Sequence, residues 1–447
     1  QAERAAVSRL RETGWPWARG RGRRAVADPE ADTLTVRSRI DPGPRAVWGE
    51  TVYEGLARVE RAHVDSYRPY EPGDVVIEPR IGEFQSRLAT TDLFSTVTVG
   101  LAERPPEPGP DGLARADVTV RVEEGPRRTV TAGLRADTEK GPLVRGAFLH
   151  RNLFGSGEQG RIEGELGLFD RRLMLSYRAP NWPRRHGQDL VAGLEIRSEE
   201  GEAFDENAAT LGFGVERRLD ERWTVGGGGL LEIADVTGRG AEDVISELAG
   251  LPLWVAYDDT DDPLDRTDGQ RVRFGVTPFT GIVDGESSSF TVLETRAAIY
   301  RTILEARGVV AAARTRVASA LSEDLGSVPP QRRLYAGGGG SIRGYAEDLV
   351  GPLDGDDDPT GGRAAVELSA ELRADVWGDV GGVVFVDGGA VTRDVVPSLA
   401  GGPQWAAGAG LRYYSPVGPI RLDVAFPLNA RDVDDAFAAY FSIGQAF

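Results

Sequence analysis

The 447-residue sequence has no cysteine. That excludes a disulfide framework and any Cys-ligated metal centre. It has three histidines, His63, His150 and His186, far apart in the chain, which argues against a His-built metal site or catalytic triad. No apolar run approaches the ~18 residues of a transmembrane helix, although a membrane can also be crossed by strands of about ten residues. A basic excess is lacking too: 52 Lys and Arg stand against 70 Asp and Glu, net −18, so the basic face of a nucleic-acid binder is absent. What is abundant is glycine, 58 residues, often inside alternating segments such as Gly212–Gly214 and Gly408–Gly410. Glycine within strands suits tight curvature and close backbone approach, as in a closed sheet.

The first 126 residues mix helical and strand patterns. Residues 1–13 carry Ala5, Ala6 and Leu10 on one helical face. Strand-like runs Arg23–Ala27 and Asp32–Ile40 follow, and Asp41-Pro42-Gly43-Pro44 interrupts the chain. The order predicted next is strand Val47–Glu54, helix Gly55–Val64, turn Tyr67–Asp74, helix Glu78–Thr90, then strands Ser95–Ala102 and Ala116–Glu123, closed by Glu124-Gly125-Pro126. Thr35–Pro44 and Thr119–Pro126 are alike, which marks an internal repeat whose first copy lacks its beginning. The chain begins at Gln1 without a Met or a leader, as expected of a truncated chain. The β-α-α-β-β order, with Tyr67–Asp74 and Asp92–Val97, resembles the polypeptide-transport-associated (POTRA) domain. The expected boundaries are a partial unit at 1–44, a complete one at 45–126, and a barrel at 127–447.

From Thr129 onward, runs of roughly 8–17 residues alternate with period two. In Arg161–Phe169, Ile162, Leu166 and Leu168 take one face, and Arg161, Glu163 and Glu165 the other. About sixteen runs are predicted, near 128–137, 142–150, 158–169, 171–180, 188–198, 206–218, 222–235, 250–258, 269–281, 287–303, 307–320, 363–374, 380–391, 403–414, 418–427 and 436–447. An even number is what closed transmembrane barrels prefer. Connectors on one side (199–205, 236–249, 321–362, 392–402) are long on average and those on the other mostly short, the asymmetry of outer-membrane barrels. The expected fold is therefore mainly β: a roughly 16-stranded antiparallel transmembrane barrel behind a small α+β arm. The aromatic last residue, Phe447, resembles the end of bacterial outer-membrane barrels.

The longest connector holds Arg333–Tyr345, with four consecutive glycines. It is no phosphate loop, because no Gly-Lys-Ser/Thr follows and no strand–loop–helix surrounds it. It resembles instead the sixth-loop motif of the BamA/TamA outer-membrane protein assembly superfamily, whose Arg-Gly-aromatic tip folds into the barrel lumen. The tip here is Ile342-Arg343-Gly344-Tyr345. Charge on a barrel strand is cheap only toward the lumen, so Glu371, in Ser369-Ala370-Glu371, and Asp387, in Phe385–Gly389, are expected to point inward and bind Arg343. Leu411–Pro419 and the last strand extend the resemblance. Tyr257–Gly269 and Tyr67–Asp74 look like its TamA branch.

By resemblance, the first and last strands meet at a lateral seam, with Val130 and Leu134 on one side and Phe441, Ile443 and Phe447 on the other. The resemblance implies an insertase for client proteins such as autotransporters and barrels, in the outer membrane with its arm in the periplasm. Its partners would be nascent clients, the lipid bilayer and a TamB-like periplasm-spanning protein. A two-partner secretion transporter is the alternative, and a passive porin ranks last because it has no such arm or loop. Acidic clusters Asp258–Asp262 and Asp354–Asp358 lack EF-hand spacing and read as solvated turns. No catalytic arrangement, metal site or cofactor motif is found.

Overall fold

In the computed structural model, residues 2–28, 33–138, 141–239, 243–263, 265–415 and 418–443 are described. The chain divides into two compact units. The first holds residues 1–129 with two later connectors, 150–159 and 179–186; the second holds the rest.

The first unit begins with helix α1 (Ala2–Arg11) and an antiparallel pair, β1 (Arg19–Asp28) and β2 (Thr33–Asp41). Then come β3 (Ala46–Glu54), α2 (Arg61–Asp65), α3 (Pro79–Ala89), β4 (Phe94–Leu101) and β5 (Ala114–Glu124). Strand β5 lies between parallel β3 and antiparallel β4. Its burial alternates strictly, with Ala114, Ala116, Val118, Val120 and Val122 inside, where they meet Phe84 and Leu88 of α3 and the stacked rings of Trp48 and Tyr70. The order α1-β1-β2 repeats α3-β4-β5.

The helix expected at Gly55–Val64 forms only at its end, as α2. Gly55 has φ +90°, and a side chain there would strike the Val122 carbonyl. The backbone N–H groups of Ala57, Arg58 and Val59 are instead donated to one oxygen of Glu124, at 2.7–2.9 Å. Only a five-residue helix follows. Connector 150–159 packs within this unit: Asn152 donates to the Arg58 carbonyl, and Glu60 N–H to the Gly155 carbonyl. His63 is buried against Gly157.

The second unit is a closed antiparallel barrel. Its strands are β6 (Arg128–Asp137), β7 (Gly141–Arg151), β8 (Gln159–Gly167), β9 (Asp170–Ala179), β10 (Gln188–Glu200), β11 (Phe204–Arg218), β12 (Trp223–Gly238), β13 (Val244–Gly250), β14 (Leu253–Asp258), β15 (Gly269–Val283), β16 (Glu286–Leu304), β17 (Val309–Leu321), β18 (Ala364–Trp377), β19 (Val380–Thr392), β20 (Gln404–Ser415), β21 (Gly418–Pro427) and β22 (Ala438–Ile443). Both β13 and β14 pair with β12 and with β15, so they are two halves of one strand and the wall is sixteen strands round.

That strand corrects the reading of 236–249 as a long connector. Leu251-Pro252 interrupts the ladder, and the Pro252 carbonyl accepts instead from Gly228. The sequence before the break is strand, with Val244, Ser246 and Leu248 buried and Ile245 exposed. Connector 199–205 shrinks likewise, because Glu199 and Glu200 stay in register with Glu206 and Asp205. Loop length at that end is concentrated in the last three connectors, 322–363, 393–403 and 428–437.

Apolar side chains face outward around the wall. Leu211, Phe213, Leu231, Ile233, Val384, Leu411 and Leu422 are half exposed, while the residues between them turn inward. An apolar exterior with a polar interior is the transmembrane arrangement. Gly226–Gly229 lets β11 and β12 approach closely: a side chain on Gly228 would strike the Phe213 carbonyl.

Candidate functional site

The 322–363 loop folds into the barrel and is held there by short two-residue bridges of its own. Leu334 pairs with Gly362, and Ala336 with Val350. Leu334, Ile342, Tyr345 and Val350 pack with Ala318, Ala365, Val391 and Ala406 of the wall in one buried cluster. Gly337 and Gly344 have φ +122° and +100°, conformations that only glycine adopts freely. At Gly344 an added Cβ would lie 2.9 Å from that of Ala406.

The strand register explains what surrounds the tip. Ser369 faces Asp387 across β18 and β19, Glu371 faces Phe385, and Asp423 faces Tyr440 across β21 and β22. All belong to the inward set of their strands. Arg343, fully buried, sits among them. Its Nε and Nη2 donate to the two oxygens of Asp387 at 2.6 and 2.8 Å, a bidentate fork, and its backbone N–H adds a third bond at 3.1 Å. Nη1 reaches Glu371 at 2.7 Å and Asp423 at 3.4 Å. The guanidinium lies 3.4 Å from the centroid of the Phe385 ring. Arg373 supports Glu371 at 3.0 Å, and Arg412 and Arg421 support Asp423. Four buried arginines thus meet three buried carboxylates. Such charges are tolerable in a lumen because each is hydrogen-bonded to an opposite one.

Further contacts fasten the loop at several points round the wall. Arg332 forms a bidentate pair with Glu232 of β12, and Gln331 donates to Ser246 of β13 at 2.7 Å. Arg314 donates to the Gly340 and Ser341 carbonyls, and Ser341 to Glu367 at 2.8 Å. The Tyr345 hydroxyl donates to the Trp405 carbonyl at 3.0 Å. Tyr440 of β22 closes the set: its hydroxyl accepts from Gly344 N–H at 2.9 Å and donates to the Tyr345 carbonyl at 3.2 Å.

The structure therefore brings together Ile342, Arg343, Gly344 and Tyr345 with Glu371 and Asp387. Phe385, two residues before Asp387 on β19, lies under the guanidinium. Asp423 and Tyr440 were not anticipated. The alternation of Ile420–Phe426 shows that Asp423 faces inward, but nothing local links it to a residue eighty positions earlier. Of the seam residues, Val130 and Leu134 project from β6 with 78% and 80% exposure, and Phe441 from β22 with 36%. The closed order makes β22 and β6 neighbours. Ile443 ends β22, its side chain not described, and Phe447 lies outside the described residues.

The acidic clusters are turns. Burial works to raise the Asp261 carboxyl, but Thr267 and Asp268 donate to it and hold it at about 2. Asp259 accepts from Gln270 N–H at 2.7 Å, which ties the connector's ends together. Asp354 accepts from the N–H groups of Asp356 and Asp358. Among the described residues no group of three such ligands could hold a metal.

A family model described as the Omp85 superfamily domain matches residues 152–447. The chain belongs to the Omp85 superfamily. Among curated relatives, it is 26% identical over 374 residues to the chloroplastic outer envelope protein 80 of Arabidopsis thaliana, covering 75% of this chain and 49% of that one. It is 27% identical over 394 residues to the outer membrane protein assembly factor BamA of Nitratidesulfovibrio vulgaris, covering 84% and 48%. This Omp85 chain thus spans about half the length of these relatives. Its fold is similar to that of Haemophilus ducreyi BamA lacking POTRA domains 1–3, with TM-score 0.82 at 17% identity over 99% of this chain and 92% of that one. CdiB from Acinetobacter baumannii is also similar, with TM-score 0.61 at 13% identity over 99% and 80%.

Proposed function

We propose that this Omp85 chain is an assembly and translocation factor of the bacterial outer membrane, which inserts client proteins through a lateral seam between β6 and β22. The observation that carries the reading is the double fastening of the loop tip. Arg343 binds Asp387, Glu371 and Asp423 on β19, β18 and β21, while the next two residues hold Tyr440 on β22. The device that keeps the loop in the lumen thus grips one of the two strands that must part. Backbone groups in hydrocarbon need partners, so the seam opens at low cost only when an incoming strand replaces the lost pairing. A client's terminal strand does so, and enters the lipid sideways.

The first unit then serves as a POTRA arm in the periplasm, with divisions at 1–44 and 45–126. Its sheet has β3 and β4 as edges, which suit an extended client segment added as a further strand. Tyr67–Asp74 and Tyr257–Gly269 support a TamA-like place within the superfamily, with a TamB-like protein at the arm and autotransporters among the clients.

The absence of native cysteine makes the test direct. Cysteine pairs, one on Thr129–Leu134 and one on Ala438–Phe441, are oxidised in liposomes before a client barrel is added. Loss of insertion, restored by reductant, is the expected result. Unchanged insertion with the seam fully locked overturns this mechanism in favour of passage through the lumen, as in two-partner secretion.

A further inference from the structure

The register of β15, β16 and β17 sets like charges directly opposite one another. Arg273 faces Arg296, and Arg296 faces Arg316. In the next inward row Arg271 and Arg314 both face Ala298. Five guanidiniums therefore point into the lumen from three adjacent strands of a chain whose net charge is −18. Like charges directly opposed across strands destabilise a sheet.

Compensation within the wall is partial. Glu294 pairs with Arg296 and Arg316, and Glu367 accepts from Arg316 at 2.7 Å. Arg314 is turned to loop carbonyls, and Arg273 lies 3.9 Å from the centroid of Trp254. Among the described residues, no carboxylate comes within 4.0 Å of Arg271 or Arg273. Arg271, Arg296, Arg314 and Arg316 line a cavity of about 490 Å³ between this wall and the inserted loop, together with the carboxylates Asp348 and Glu367. With Glu294, which pairs with Arg296 and Arg316, and with Arg273 on the same wall, the group holds five positive and three negative charges, a surplus of +2.

We propose that this cavity binds a phosphate group, either free or carried on a lipid headgroup. The charge of a phosphate monoester at neutral pH, about −1.5 to −2, matches the surplus. Its three terminal oxygens accept from several guanidinium forks at once. Arg343, Glu371, Asp387 and Asp423 do not line this cavity, and the proposal does not depend on the insertase reading.

The test is calorimetric titration of the full chain in nanodiscs at low salt, with inorganic phosphate and pyrophosphate, for native protein and the R271Q/R296Q double variant. One saturable site is expected, at least tenfold weaker in the variant, with the thermal unfolding midpoint little changed. Should the double variant fail to fold, R271Q alone is expected to weaken binding severalfold. Nanodiscs of phosphatidylcholine and of phosphatidic acid distinguish the source. Inorganic phosphate excluded only by phosphatidic acid identifies a lipid headgroup, and binding in both identifies a free anion. No saturable binding with either lipid, binding undiminished in the variants, or equal affinity for succinate overturns the proposal.

Discussion

Replacing Arg343 with alanine removes the only cation that touches all three of Asp387, Glu371 and Asp423 among the described residues. The loss is uneven. Asp423 keeps Arg412 and Arg421, and Glu371 keeps Arg373. Asp387 keeps the Ser369 hydroxyl at 2.6 Å and the residue-343 N–H, but among the described residues no other cation within 4.0 Å. Removing one partner of a buried pair costs about 3–5 kcal/mol, because a desolvated charge is left behind. Applied to docking of the loop, that raises the undocked fraction about a hundredfold or more. The assay is limited proteolysis of folded protein in detergent, with cleavage in 322–363 followed over time. Arg343→Ala is expected to expose the loop while the barrel keeps its resistance to unfolding in cold SDS. Arg343→Lys restores one point charge and no fork, so its cleavage rate should fall between the two. Asp387→Asn should be milder than Arg343→Ala, because Glu371 and Asp423 still balance the arginine. The double variant R343A/D387N should cost less than the sum of the singles. Native-like protection of the loop in Arg343→Ala would refute the reasoning, since the ion cluster would then hold nothing in place.

Other outcomes follow from the same contacts. Gly344→Ala must move Ala406 and adopt φ +100°, so a cost of about 1–3 kcal/mol and faster loop cleavage are expected. Tyr440→Phe removes both bonds from β22 to the tip, and should weaken docking by about 1–2 kcal/mol without altering barrel secondary structure by circular dichroism. In the arm, burial pushes His63 down from 6.5 to about 4. The unfolded chain therefore takes up this proton first as pH falls, and arm stability should decline from about pH 6.5 to 4 by up to roughly 3 kcal/mol. A His63→Gln variant should show a flatter melting profile across that window. Glu124→Ala orphans the N–H groups of Ala57, Arg58 and Val59, at about 2 kcal/mol, seen as faster amide exchange there.

The barrel strands were legible because lipid outside and charge inside impose a period-two code on each strand, read without knowing its neighbours. Where reading failed, the cause was non-local. Residues 244–250 looked like connector because Ser246 and Glu247 break their apolar run, and the inward Ser246 finds its partner in Gln331 of the distant 322–363 loop. Residues 55–60 looked helical because composition does not reveal that Glu124 collects their N–H groups. At the tip, Arg343, Glu371 and Asp387 were legible from short sequence contexts that resemblance supplied. Asp423 and Tyr440 were not, since their roles arise only from which strands adjoin after closure. The opposed arginines of β15–β17 were invisible for the same reason: like-charge pairing is a property of register.

Tyr440 is bonded simultaneously to the strand ladder and to the loop tip, so it acts as an interlock. Moving β22 away from the wall breaks the same two hydrogen bonds that withdrawing the tip would break. Thermodynamic reciprocity then requires equal coupling in both directions. Whatever draws the tip out of its acidic pocket loosens β22 by the free energy that freeing β22 would lend to withdrawal of the tip. A reporter dye on the loop would therefore register strand exchange at β22.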